Sequence, residues 1–359
     1  MRIVHVVEPF ASGVVTFVKS LVEHLPEDYH IVIHGERQEV MERAEVKKLF
    51  PPHQVKFIHW KSAQRGLHLV KDTKAMFELY NILKRFRTVD VVHLHSSKSG
   101  FIGRLVCRWL KIKNVIYTPN GAPFLMQQGK FKQLLYKRLE LIGHSFGGKV
   151  VCVSASEADA YKQLGIDASY INNGTTLPFA NDKPFSPTTT DQNKFTIAFS
   201  GRILAQKNPR RFNEIAKQFL SYSNVEFVWI GDGELKHELS SPNIRITGWL
   251  TEDEVKNELA KASMYLSTAD YEGLSFGVLE AMAMGKPLIL SNCTGNKDII
   301  RYGVNGDLFE TTAQACTQIF YYINNPFMLA AMGSYSKDLC KTEFNAASSA
   351  GNYRLAYTY

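Results

Sequence analysis

Short continuous apolar runs alternate with stretches of helical periodicity along most of this chain. In the first half, 3–7, 31–34, 55–59, 89–94, 114–117 and 149–153 read as buried strands. Between them, 14–25, 75–86 and a stretch ending near Trp109 space their apolar residues three and four apart, as one face of a helix does. Ser12 stands where a helix N-cap belongs, and Ser154 with Glu157 forms a capping box. Residues 181–193 are polar, Pro/Thr-rich and unpatterned, which predicts an interdomain linker. The alternation then resumes: strands at 195–199, 225–230, 244–247, 264–267 and 287–291, and helices at 210–220 and 252–262. From about Phe327 the tail is helical and ends in aromatic residues, which suits packing across a domain interface. The expected organisation is an N-terminal domain over 1–180, a second over 194–340 and a tail over 341–359. Strand–helix repetition with polar, glycine-containing loops after the strands predicts two Rossmann-like, doubly wound α/β domains. Such sheets bind ligands at the carboxyl ends of their strands.

One stretch in the second half concentrates the chemistry. After the run Met264–Ser267, Tyr271-Glu272-Gly273-Leu274-Ser275-Phe276-Gly277 leads into a helix carrying Glu280 and stopping at Gly285-Lys286-Pro287. Glycines here leave amides open at a helix N-terminus, where an anion such as a diphosphate is favoured. Carboxylates on either side suit the hydroxyls of an attached sugar. Taken alone, the two glutamates are equally a solvated turn residue and a surface helix residue. A second loop, Ser200-Gly201-Arg202 through Lys207-Asn208-Pro209, offers a guanidinium fork and an ammonium on one side of a strand end. The glycine turns Gly231-Asp232-Gly233 and Thr247-Gly248-Trp249-Leu250 also end strands, and backbone at the latter could meet a base edge.

Composition narrows the class. The chain has 359 residues, 45% hydrophobic and 21% charged, an ordinary globular balance for two domains. No run of eighteen apolar residues exists, and the first seven residues resemble a strand more than a secretory leader. Five scattered cysteines without metal spacing are expected as reduced thiols in a cytoplasmic protein. The net charge of +8 is uneven: residues 1–170 hold 25 Lys/Arg against 15 Asp/Glu, and 84–138 hold 12 against the single acid Asp90. The segments 100–111 and 130–139 interleave these cations with aromatic and aliphatic residues, which suits an anionic membrane surface. His93 and His95 form a His-x-His, yet no third metal ligand is apparent in the sequence. His93 is expected inside the fold, and His95, Ser97 and Lys98 at the strand's open edge.

The ordered set Gly201-Arg202…Lys207-Asn208, Gly231-Asp232-Gly233, Thr247-Gly248, Glu272-x7-Glu280, Gly285-Lys286-Pro287 and Gly303 to Phe309 resembles the donor half of family 4 retaining glycosyltransferases. That resemblance implies the GT-B architecture, two Rossmann-like domains facing across a cleft, with no metal and no cofactor beyond a nucleotide-diphosphate sugar, UDP-sugar favoured. It implies that Arg202 and Lys207 bind the diphosphate and stabilise its charge as it leaves, that Glu272 faces the donor sugar, and that Glu280 takes the ribose hydroxyls. Amides of Gly273, Leu274, Ser275, Phe276 and Gly277 would line sugar and phosphate, backbone at Gly248, Trp249 and Leu250 the base, and Gly13 the phosphates from the first domain. The acceptor, a saccharide on a polyprenyl diphosphate, would meet His95, Ser97, Lys98 and Asn120. Thr118-Pro119-Asn120-Gly121 stands where many members carry His-Gly; an asparagine there hydrogen-bonds a hydroxyl but takes up no proton. The implied setting is assembly of a surface polysaccharide, lipopolysaccharide or capsule, by a protein peripheral to the inner face of the cell membrane. A sugar-nucleotide epimerase or hydrolase of the same fold is one alternative. A nucleic-acid-binding protein, suggested by a pI near 9.1, is another, without evident stacking aromatics or a groove-reading helix.

Overall fold

The computed structural model describes residues 1–8, 10–35, 43–64, 66, 68–126, 129–175 and 194–358. The expected linker, 181–193, lies outside the described residues. Contacts divide the chain into two units, Met1–Asn173 with Ala346–Tyr359, and Gly174–Asn345.

The first unit runs β1 (Arg2–Val7), α1 (Gly13–His24), β2 (Tyr29–His34), α2 (Arg43–Lys48), β3 (Val55–His59), α3 (Leu69–Leu83), β4 (Val91–His95), α4 (Ser96–Leu110), β5 (Val115–Thr118), α5 (Lys130–Ser145), β6 (Lys149–Cys152), α6 (Ala155–Lys162) and β7 (Ala168–Tyr170). Its seven strands are parallel in the order β3-β2-β1-β4-β5-β6-β7. Strand order reverses between β1 and β4, which opens a crevice at their carboxyl ends.

The second unit runs β8 (Phe195–Ser200), α7 (Pro209–Lys217), β9 (Val225–Ile230), β10 (Ile244–Ile246), α8 (Glu252–Lys261), β11 (Met264–Ser267), α9 (Phe276–Ala283), β12 (Leu288–Ser291), α10 (Asn296–Ile299), β13 (Gly306–Phe309), α11 (Thr312–Asn324) and α12 (Phe327–Glu343). Six parallel strands follow the order β10-β9-β8-β11-β12-β13, with the reversal between β8 and β11. Both are doubly wound Rossmann-like sheets, with helices from the crossovers covering both faces, so their strands are apolar runs. The tail splits: α12 stays with the second unit, whereas α13 (Ala346–Thr358) returns to the first and packs on α1.

Two local readings change. Ser12 precedes α1, but its hydroxyl caps nothing; its backbone sits at φ 50°, and its carbonyl takes the Val15 and Thr16 amides. No loop separates β4 from α4, because the helix starts at Ser96. Gly100 and Gly103 lie inside α4 for close packing rather than for a turn. A Cβ would stand 2.2 Å from the Tyr117 ring at Gly100 and 2.5 Å from Leu94 at Gly103.

Candidate functional site

In the second unit the loops after β8 and β11 flank the strand reversal, and the donor groups expected in this unit lie on them, on α9 or on the β10–α8 turn. Glycines bring these loops together. Gly231 has φ 141° and Gly201 φ 145°, and a Cβ on Gly231 would lie 2.3 Å from the Gly201 carbonyl oxygen. The Trp229 indole N–H donates to that same carbonyl at 2.8 Å, so the strand ends are pinned edge to edge. At Gly277 a Cβ would meet the Ser200 hydroxyl at 2.5 Å and its carbonyl at 2.7 Å. The N-terminus of α9 therefore abuts the end of β8 directly, and its first amides lack intrahelical partners.

Cations are delivered from the β8 side. A single 3₁₀ turn over Ala205–Lys207 carries Lys207, whose ammonium contacts the Glu272 carboxylate. The turn is stitched to the β11 loop: Asp270 N–H donates to Gln206 O at 2.9 Å, Thr268 Oγ1 to Lys207 O at 2.8 Å, and Asn208 Nδ2 to Asp270 Oδ1 at 2.9 Å. Asn208, at φ 50°, also caps α7 through its side chain. Glu272 is buried (5% exposed). Arg202 is held more loosely, its Nη2 3.8 Å from the exposed Glu234 carboxylate. Glu280 keeps a sliver of surface, yet the surrounding protein desolvates its carboxyl and pushes its pKa up to about 7, with Glu252 raising it further and Lys207 opposing. Gly248 has φ 77° and bridges to Gly231, with Thr247 Oγ1 accepting the Gly231 N–H at 3.2 Å; Trp249 beside it is 57% exposed.

Arg202, Lys207, Glu272, Gly273–Gly277 and Glu280 are thus gathered around one strand reversal, with two cations, two carboxylates and a run of helix-start amides. Gln206, Thr268 and Asp270, which with Asn208 hold the loops in place, were not expected from sequence. Their role depends on pairings some sixty residues apart. Lys286, in the helix stop, is buried and donates to Ala260 O and Ala262 O at 2.8 and 2.7 Å; burial brings its pKa down to about 7. It secures the end of α8.

The first unit redistributes the expected acceptor residues. Gly13 opens α1 and is exposed. Asn120 is partly exposed at φ 55° and Gly121 follows at φ 98°, on the loop after β5. One Glu157 oxygen accepts the Gly121 and Ala122 amides at 2.8 and 2.9 Å, and the other accepts Val153 N–H at 3.1 Å. Glu157 thereby departs from the expected capping box: Ser154 Oγ does accept the Glu157 amide, but the carboxylate clamps the Asn120 turn instead of returning to the cap. Burial pushes its pKa up to about 7, against the pull of the three amides.

His95 and Lys98 differ from expectation. The His95 ring is fully buried, not at an open edge. Residues two apart on a strand share a face, so the burial of His93 carries His95 with it. Lys98 spends its ammonium on the Gln64 and Gly66 carbonyls and, at 2.7 Å, on Asp72, holding the segment before α3. Ser97 sits in the first turn of α4, partly exposed, with its side chain hydrogen-bonded to the buried Tyr117 hydroxyl.

The third histidine that sequence spacing did not supply comes from β1. His5, His93 and His95 are buried with ring nitrogens within 4.8 Å of one another. They form a stack rather than a coordination cage. His5 Nδ1 pairs with His95 Nε2 at 2.9 Å and His5 Nε2 with His30 Nδ1 at 3.0 Å. His93 uses both nitrogens, on the Tyr357 and Thr118 hydroxyls, each at 2.8 Å. His5 and His93 therefore have both ring nitrogens engaged with neighbouring rings or hydroxyls. Burial holds His5, His93 and His95 well below the usual imidazole pKa, and His30 at about 4.

A sequence profile for Glycosyltransferase Family 4 matches residues 11–177, and one for Glycosyl transferases group 1 matches 194–323. The chain is a family 4 glycosyltransferase of the GT-B fold. A UDP-Gal:alpha-D-GlcNAc-diphosphoundecaprenol alpha-1,3-galactosyltransferase of Escherichia coli is 29% identical over 273 residues, 68% of each chain. The O-antigen biosynthesis glycosyltransferase WbnH of Escherichia coli is 28% identical, over 69% of this chain and 70% of its own. Among solved structures, Anabaena Alr3699/HepE in complex with UDP and glucose superimposes with a TM-score of 0.79 at 15% identity, covering 99% of this chain and 98% of that one.

Proposed function

We propose that this glycosyltransferase moves a hexosyl unit, with retention and without a metal, from a UDP-sugar to a saccharide carried on a polyprenyl diphosphate. The observation that carries this reading is the convergence of Lys207, Arg202, Glu272, Glu280 and the 273–277 amides around the β8/β11 reversal. Lys207 and Arg202 grip the diphosphate and stabilise the charge that develops on it as the glycosidic bond breaks; the helix-start amides add to this field. Glu280, partly covered, accepts the ribose hydroxyls. Glu272 orients the donor sugar once phosphate oxygens draw Lys207 away. Asn120, with no proton to exchange, holds a hydroxyl, and the departing diphosphate is the base that receives the acceptor proton. The Escherichia coli galactosyltransferase acts on a diphosphoundecaprenol substrate, and HepE binds UDP and glucose, in keeping with this donor and acceptor class. The O-antigen relative supports a place in surface polysaccharide assembly.

A lipid-linked acceptor requires access to a membrane surface. Among the described residues no helix is long and apolar enough to cross a membrane. Helix α5 turns outward Phe131 (81% exposed), Leu134, Leu141 and Ile142, with Lys130, Lys132 and Arg138 among them. This amphipathic face suits the anionic inner leaflet.

The test is transfer from a panel of UDP- and other nucleotide-sugars to a GlcNAc-diphospholipid, with EDTA present and the product anomer read by NMR coupling. A UDP-sugar should give an α-linked product that survives EDTA. Hydrolysis or epimerisation without transfer to any lipid-linked saccharide refutes the reading.

A further inference from the structure

At the amino ends of β5 and β6, the end of the first sheet away from the Asn120 loop, a cavity of about 410 Å³ opens between the C-terminal ends of α4 and α5. Its wall includes Arg104, Arg108, Lys111 and Lys113, with Cys107 and Gly148, and no acid. Arg104 is buried (1% exposed). Its Nε donates to Gly100 O at 3.0 Å and its Nη2 to Glu140 at 3.3 Å, but Nη1 has no partner among the described residues. A buried donor left unpaired is costly.

The obvious competing use for these cations is neutralising the two helix C-termini. Backbone amides already do that work. Lys111 N–H bonds Arg108 O, Ile112 N–H bonds Cys107 O, Phe146 N–H bonds Gly143 O and Gly147 N–H bonds His144 O. Of these cations only Arg108 bonds a helix-end carbonyl among the described residues, Nη1 to Ser145 O at 2.7 Å, which leaves the rest of its fork available; Ser145 Oγ serves Ile142 O. Lys111 stands at φ 57°, a left-handed position that glycine would fill without strain. We propose that this cavity binds a phosphate group, with Arg108, Lys111 and Lys113 contacting its oxygens and Arg104 Nη1 at the floor. The group is either a soluble phosphate ester or the headgroup of an anionic phospholipid. The site is separate from the donor groups of the second unit and does not rest on the transfer reaction.

Amine-reactive labelling of the intact protein, read by mass spectrometry at Lys111 and Lys113, tests this. Lys162, with 54% of its side chain exposed, is the reference. The protein is exposed to inorganic phosphate, to chloride at matched ionic strength, and to phosphatidylglycerol or phosphatidylcholine vesicles. At least threefold protection of both lysines by phosphate over chloride supports a soluble phosphate ligand. Protection by phosphatidylglycerol vesicles alone supports a lipid headgroup. Protection of Lys111 should vanish in Arg108→Gln/Lys113→Gln, which gives up the Arg108 bond to Ser145 O but must keep a cooperative unfolding transition, and should weaken at least twofold in Lys113→Gln alone. Protection no greater than that given by chloride and phosphatidylcholine, or protection of Lys111 that persists in the double variant, overturns the proposal.

Discussion

Replacing Lys207 separates what this lysine does for the fold from what it does for the donor. Its ammonium is the charge partner of Glu272, and their side chains are 15% and 7% exposed. Two charges at 4 Å attract by about 4 kcal/mol at an effective dielectric of 20. Removing one member of a buried pair costs about 3–5 kcal/mol, because the other is left desolvated and alone. Gln206 Nε2, 3.4 Å from Glu272 Oε2, softens this, so Lys207→Met should cost about 3 kcal/mol. Glu272→Leu should cost a similar amount by stranding the lysine. The double variant Lys207→Met/Glu272→Leu removes both charges and should lose much less than the sum, giving a coupling of about 2–3 kcal/mol. Urea unfolding without ligand, followed by tryptophan fluorescence, measures the cycle. The same four proteins are then heated with UDP. At 100 times its Kd, UDP should add about 2.7 kcal/mol to the wild type and nothing to any variant lacking Lys207. Additive losses would show that the pair carries no structural coupling. UDP stabilisation that survives in the double variant would remove Lys207 from the donor site.

Gly277→Ala puts a methyl within 2.8 Å of Ser200 and Tyr265, and should cost about 1–3 kcal/mol and weaken UDP binding at least tenfold. Gly129→Ala, with nothing within 4 Å of its Cβ, is the control; equal titration curves for the two would count against the close packing of α9 on β8. His30→Gln tests the buried histidines by pH. A folded pKa near 4 against about 6.5 unfolded means the unfolded chain binds the extra proton, so stability falls as pH drops below 6.5. Glu157 and Glu280, both near 7 when folded, act in the opposite sense by taking up protons in the native state. The difference between variant and wild type isolates the histidine: between pH 7.5 and 5.5 the variant should lose about 1.4 kcal/mol less, and parallel curves would contradict it. Tyr357→Phe leaves His93 Nδ1 unpaired in the interior and should cost about 1–2 kcal/mol; an unchanged urea midpoint would mean α13 is not anchored through that bond.

Most of both sheets was legible in the sequence because parallel strands covered on both faces read as largely apolar runs; the short edge strands β7 and β13 were not among the expected runs. Glycine turns after those runs mark where the chain leaves the sheet. The placement of the residues expected to meet the donor was legible for a related reason: Arg202, Lys207 and Glu272 lie on the loops after β8 and β11, and Glu280 on the helix that follows, so the topology carries them to one strand reversal. What sequence could not show is which polar side chains are consumed by the fold itself. Lys98 looks available until the carbonyls of Gln64 and Gly66 arrive from a segment more than thirty residues earlier. Glu157 resembles half of a capping box until the Asn120 turn folds down onto it. His95 could have been placed correctly, because strand alternation puts it on the face of His93; reading it as an edge residue gave weight to its position at the strand end over its parity.

Backbone strain marks the carboxyl ends of strands in each unit independently of side-chain chemistry. Five described residues other than glycine have positive φ, and four of them (Ser12, Ser96, Asn120 and Asn208) follow the carboxyl ends of β1, β4, β5 and β8. These are the strand-to-helix junctions where a parallel sheet presents its ligands, and strained backbone persists only where the surroundings enforce it. The surroundings do enforce it: Glu157 clamps the turn at Asn120, and Asp270 with Thr268 clamps the turn at Asn208. Each clamp is a polar side chain from a neighbouring crossover, so loop shape is set by the sheet and not by the loop's own residues. That explains why the resemblance to family 4 is carried by spaced single residues rather than by continuous segments. The fifth, Lys111, is strained at the other end of the first sheet, where no loop of the donor or acceptor groups lies. Its strain sits beside the basic cavity, where Arg104, Arg108, Lys111 and Lys113 converge without an acid in the cavity wall.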